Sequence, residues 1–169
     1  MNWDAVGAIG ELVGATAVVL TLAYLAIQIR QTREMEQATS IRDMLDKAID
    51  IMVHSSRNPG SFETLRKGVT NYSVLPIEEK DRFHEWATLT VVSTEQAMYM
   101  HQSKLLPYES WTVWEGFAAA IIASPGGAQW WADYKKVFNS ELVERLEKAA
   151  DDRDTHHLSI YDILPHWRE

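Results

Sequence analysis

The 169-residue sequence predicts an all-α protein: an N-terminal transmembrane helix, residues 1–30, continuing into a cytoplasmic helical bundle, residues 31–169. Three observations carry that expectation. An apolar run near the N-terminus is long enough to cross a bilayer, and apolar residues recur at spacings of three and four through much of the remainder. No stretch shows the sustained two-residue alternation of a half-buried strand. Composition narrows the classes further. A content of 46% hydrophobic and 24% charged residues excludes a disordered or collagen-like chain. Sixteen Lys and Arg against twenty-four Asp and Glu leave a net charge of −8, so nucleic acid is not an expected partner. Cysteine is absent, which removes disulfides, thiolate nucleophiles and Cys-ligated metals.

The apolar run is Ala5 to Ile29, with Glu11 its one charge. As a helix its 25 residues span roughly 37 Å, more than the ~30 Å hydrocarbon layer, and the uncharged 18 residues from Leu12 span about 27 Å. A cleaved leader is not expected, because Met-Asn-Trp-Asp is acidic and no polar cleavage region follows. Arg30 and Arg33 flank the C-terminal end, while the N-terminal side has no Lys or Arg. The positive-inside rule therefore places the N-terminus outside and the rest in the cytoplasm. Trp3 and Tyr24, about 31 Å apart along a helix, suit interfacial anchors. The mean hydropathy of −0.23 then averages an apolar helix with a polar bundle.

One face of this helix carries Gly7, Gly10, Gly14, Ala17 and Thr21, a stripe of small residues with Gly10 and Gly14 as a GxxxG pair. In lipid, helices associate through close backbone approach over such residues, so the stripe is the expected interface of a homo-oligomer. Glu11 lies beside it. In an oligomer its carboxylates would form a ring able to bind a cation or line a narrow pore. Because a carboxylate in hydrocarbon is costly, the edge of the membrane is the favoured placement over its interior.

Beyond Arg30, apolar residues Ala38, Ile41, Leu45, Ala48 and Met52 continue the helical spacing without Pro or Gly, so the helix is expected to run on to His54. Ser55 to Ser61 reads as a turn, with Ser61 capping a short helix that ends near Gly68. Pro76 suits the first position of the next helix, expected to reach Leu106, where Pro107 stops it. Tyr108 to Ala123 follows as a helix, and its apolar run Trp114 to Ile122 is too short for a second membrane span. Ser124-Pro125-Gly126-Gly127 marks a helix start, and Asn139 or Ser140 caps a last helix from Glu141 to about Asp152. Ile160, Tyr161, Ile163, Leu164 and Trp167 are too apolar for a free tail and are expected to dock on the domain or a neighbouring copy.

Trp3, Gly7, Glu11 and Gly14, followed by Leu22 to Gln31, resemble the opening of a broad group of uncharacterised bacterial proteins. Those proteins carry a single N-terminal membrane helix and a helical domain. Ser124 to Gly127 with Trp130, Trp131 and Phe138 resembles a motif common in that group. The resemblance covers most of the chain and implies a protein of the bacterial inner membrane. It supplies no reaction and no active-site residue.

Candidate chemistry is sparse. Asp81 and His84 stand at D-x-x-H spacing, with Glu95 and His101 further along the same helix, which is only half of a bundle di-metal set. His156, His157 and His166 near the C-terminus are weak metal ligands at best. No phosphate loop, nucleophile elbow or HExxH motif occurs, so neither enzyme activity, a metal nor a cofactor is expected. Trp111, Trp114, Trp130 and Trp131 fall in consecutive helices and read as an aromatic core, against the alternative of a ligand pocket. The expected function is a membrane-anchored homo-oligomeric scaffold or accessory protein. The alternative is a small homo-oligomeric channel with Glu11 near its axis. Expected partners are membrane lipid, further copies of the chain, or another membrane protein.

Overall fold

The computed structural model describes residues 3–56, 60–151 and 159–168. Among them there is no strand, and the all-α expectation holds. Seven α-helices follow in order: α1 Trp3–Ser56, α2 Ser61–Thr70, α3 Ile77–Gln102, α4 Tyr108–Ile122, α5 Pro125–Tyr134, α6 Ser140–Asp151 and α7 Ile160–Ile163. Three 3-10 turns, Tyr72–Val74, Lys135–Val137 and Pro165–Trp167, join or extend them.

The chain divides into two compact units, Met1–Thr39 and Ser40–Glu169. The first is helix alone. Its large apolar side chains, Leu12, Val18, Leu20 and Leu22 among them, are exposed, and the most apolar 18 residues of α1 bury nothing. By length and composition this is a helix able to cross a membrane. The second unit begins at Ser40, ten residues past Arg30, where the expected membrane helix ends. The intervening Arg30–Gln37 stretch is polar and exposed, with Arg30 paired to Glu34 at 2.9 Å, so it has little to bury.

The end of α1 belongs to the second unit, and its buried face differs from the expected stripe. Ser40 and Met44 are buried, with Ile41, Ala48 and Ile51 partly so, whereas Leu45 and Met52 stay exposed. Ser55 completes the buried row, its hydroxyl donating to Ile51 O. Gly60, at φ 85°, takes a left-handed conformation that glycine enters without strain and starts α2. Ser61 is thus the first helical residue and makes no cap, and α2 runs to Thr70 rather than Gly68.

Pro76 caps α3 from outside rather than occupying its first turn. The helix stops at Gln102, four residues before the expected Leu106. Lys104 turns to φ 61°, and the amides of Leu105 and Leu106 both donate to Met100 O. Pro107 biases Leu106 away from helical geometry, so the break falls before the proline and not at it. At the head of α5, the Ser124 hydroxyl accepts from Gly127 N at 3.1 Å, the cap that the sequence implied. Asn139, not Ser140, caps α6, its Oδ1 accepting from the amides of Glu141 and Leu142.

Packing centres on large fully buried side chains: Phe83 from α3, Trp111 from α4, Trp130 from α5 and Leu142 and Leu146 from α6. The apolar end of α4, Ala118 to Ile122, is core and no second span. Glycine sets the closest contacts. A Cβ at Gly126 would lie 1.8 Å from Gly68 O, and one at Gly127 1.9 Å from Ile121 O, so α5 reaches these backbones only without side chains there. The C-terminal segment docks on its own domain, with Ile160 and Trp167 buried in the core.

Candidate functional site

In the first unit, the small residues keep one face of α1 bare. Gly7, Gly10 and Gly14 have nothing within 4 Å of where a Cβ would stand, and Ala17 and Thr21 are exposed. The Thr21 hydroxyl donates to Ala17 O at 2.8 Å, so it is satisfied within the helix. Glu11 is exposed on the same helix and has no ion pair among the described residues.

The candidate metal half-set is dispersed. His84 Nδ1 accepts a hydrogen bond from Trp130 Nε1 at 3.0 Å, and His101 Nδ1 lies 3.0 Å from Leu106 O. Glu95 accepts from the Tyr99 hydroxyl at 3.2 Å, which supplies the partner that the sequence did not name. Among the described residues no group of three His, Asp or Glu stands close enough to hold a metal ion. His156 and His157 lie outside the described residues, while His166 borders the cavity described below.

The tryptophans divide between core and cavity. Trp130 stacks on Tyr134 at 5.7 Å and meets Phe83 edge-on at 6.4 Å, in the interior. Burial pushes the nearby Tyr72 phenol well above its ordinary value, with its hydrogen bond to Tyr134 acting the same way. Trp111 is fully buried beneath the Arg145 guanidinium, 5.0 Å from its ring, and its Nε1 has no hydrogen-bond partner among the described residues. Trp131 Nε1 and Lys135 Nζ both donate to Glu147 Oε1, at 3.2 and 2.7 Å. The Lys135 ammonium foremost holds that carboxyl below its usual range.

Trp114 is different. With Trp86 and Phe117 it forms one wall of an apolar cavity of about 430 Å³ in the Ser40–Glu169 unit. Ala48, Ile51 and Met52 from α1 form another wall, and Leu164 and Trp167 from the C-terminal segment a third. The polar side chains bordering it are few. The Ser55 and Thr90 hydroxyls are spent on Ile51 O and Trp86 O in their own helices. Phe62 and Val113, at its rim, are more than half exposed. Such a lining is suited to an apolar guest, and its size lies within the range of ligand sites.

A smaller, polar recess shares Ser55, Leu65 and Trp86 with this cavity. It adds His54, Arg82 and Glu85. His54 Nε2 and Glu85 Oε1 pair at 3.2 Å. Arg82 is exposed and makes no ion pair among the described residues. Neither cavity nor recess is legible in the sequence, since their walls come from four helices and a tail separated by long stretches of chain. The one local hint is Trp114, an aromatic in α4 left partly exposed while Trp111, one turn earlier, is buried. Compared with protein-family models, curated proteins and solved structures, the chain matches none.

Proposed function

We propose that this protein is a membrane-anchored homo-oligomeric accessory or scaffold protein of the bacterial inner membrane, not an enzyme. The observation that carries the reading is the contrast inside one chain. The described apolar side chains of α1 before Thr39 are exposed, while Ser40–Glu169 closes a core of its own. A bare apolar helix of this length is explained by lipid. Arg30 and Arg33 support a cytoplasmic second unit with the N-terminus outside. The open face over Gly7, Gly10 and Gly14 supports self-association, because identical helices can approach closely there. Another membrane protein seated on that face is the competing partner.

Alkaline extraction of membranes followed by protease protection tests the anchor and its direction. Retention in the pellet with the second unit digested only in inverted vesicles is expected, and release at high pH refutes the anchor. Crosslinking in native membranes tests the stripe: Gly10→Leu should abolish a crosslinked band, and a monomer throughout argues against self-association. A second reading, a small homo-oligomeric channel, rests on Glu11 directly following Gly10 with no ion pair among the described residues. It requires conductance in planar bilayers that Glu11→Gln alters, and silence from folded oligomer removes it.

A further inference from the structure

We propose that the cavity between α1, α3, α4 and the C-terminal segment binds one acyl chain of an anionic amphiphile, with the head group at Arg82. Size, lining and charge each support the assignment. At ~30 Å³ for a water-sized unit, about the bulk of one methylene group, the cavity of about 430 Å³ accepts a chain of roughly fourteen carbons. An enclosed apolar cavity of ~150 Å³ takes a benzene-sized guest, and this apolar cavity has room for a longer one. Trp86, Trp114 and Phe117 offer ring faces to a flexible chain, and the indole N–H groups and His166 are the few polar groups beside them. Ser55 and Thr90, the hydroxyls at hand, already donate within their helices.

The head group is assigned by the adjoining recess. Chain and head must lie side by side, and the recess shares Ser55, Leu65 and Trp86 with the cavity. Its three charged or titratable groups are His54, Glu85 and Arg82. Glu85 is turned to His54 Nε2, and the Arg82 guanidinium makes no ion pair among the described residues. A guanidinium with free donors takes a carboxylate or phosphate in fork geometry. A free fatty acid and an anionic phospholipid share this chemistry. The assignment rests on the Ser40–Glu169 unit alone and does not depend on whether α1 self-associates.

Tryptophan fluorescence of the full chain in phosphatidylcholine nanodiscs, in a Trp3→Phe background, reads occupancy directly, because Trp86, Trp114 and Trp167 line the cavity. Tetradecanoate brominated on its chain is titrated in one arm, its neutral alcohol in a second, and brominated phosphatidylglycerol is built into the disc in a third. Saturable quenching in the first arm identifies a free acid, and quenching in the third identifies a bilayer lipid as the source. Either supports the proposal when Ala48→Phe, which fills the cavity, weakens it about tenfold or more. Arg82→Gln, on an exposed position that does not threaten folding, should weaken the anionic quencher about threefold and leave the alcohol unchanged. Quenching by none of the three probes overturns the proposal. So does quenching that a folded Ala48→Phe leaves intact, or an acid-to-alcohol ratio that Arg82→Gln does not move.

Discussion

Leu20 and Leu142 are the same residue in the same secondary structure, yet the first is 65% exposed and the second not at all. Gly10 and Gly126 form a second such pair. A Cβ at Gly10 would meet nothing within 4 Å, and one at Gly126 would strike a backbone oxygen at 1.8 Å. In the Ser40–Glu169 unit, the identity of a residue is fixed by neighbours within the chain. In the Met1–Thr39 unit the described side chains are exposed, and residues such as Leu20 and Gly10 have no such neighbour among the described residues. The difference separates two kinds of side chain that composition merges, and mutations can be chosen to fall on one side of it or the other.

The largest effect is expected at Trp130. Trp130→Ala removes a fully buried ring that touches Phe83, Tyr134 and Phe138, and it leaves His84 Nδ1 without its donor. A loss of ~3–5 kcal/mol in unfolding free energy follows for truncation of a buried tryptophan. Leu20→Ala, in the other unit, should leave the same transition within about 0.5 kcal/mol. Chemical denaturation followed by near-ultraviolet circular dichroism measures both. Comparable losses for the two would mean that the N-terminal helix contributes to the domain's core, and the division between the regions would fail.

The glycines sharpen the contrast at smaller cost. Gly126→Ala must push α5 off the Gly68 carbonyl, a rigid backbone atom, and about 1–3 kcal/mol is expected for overpacking of this kind. Gly10→Ala should not lower the melting temperature of the domain, since the space is open. A thermal scan of both variants decides, and an undisturbed Gly126→Ala would contradict the close approach of α2 and α5.

Much of this division is readable from sequence, and the reasons for the failures are physical. The Ser124 cap, the Asn139 cap and the helical class depend on local chemistry, which lies within a few residues. The face that α1 buries is harder. Leu45 and Met52 fit an apolar periodicity as well as Met44 and Ile51 do, and only tertiary packing rotates the buried row by one position. The end of α3 at Gln102 rests on a left-handed Lys104, a conformation that lysine seldom signals. The cavity was illegible because Ala48, Trp86, Trp114 and Trp167 are neighbours only after folding. The stripe of small residues was the reverse case, plain in the sequence, with nothing among the described residues within 4 Å of a Cβ at its glycines.

The smallest effect is local and depends on pH. Asp162 Oδ2 accepts from both the amide and the hydroxyl of Ser159, at 2.9 and 2.8 Å, and its other oxygen pairs with Arg168. The hydrogen bond from the Ser159 hydroxyl foremost, then that from its amide and the Arg168 charge, holds the carboxyl below its ordinary value of 3.8. A carboxyl depressed in the folded state stabilises it at every pH above the ordinary value, and the contribution disappears as acid protonates the folded group below it. Ser159 to Arg168 is the stretch that carries Leu164 and Trp167 against the cavity. Acidification through and below pH 3.8 should therefore raise amide exchange in Ser159 to Arg168. The surroundings of Trp130 should hold until a lower pH. Hydrogen exchange read by mass spectrometry along an acid series checks the order. Asp162→Asn should abolish the pH step while weakening the segment at neutral pH, because an amide keeps an acceptor but loses the charge that engages Arg168. Loss of the core and the tail at one pH would show that the tail is no separate element of the domain, and that its contact with the cavity wall is as firm as Trp130 itself.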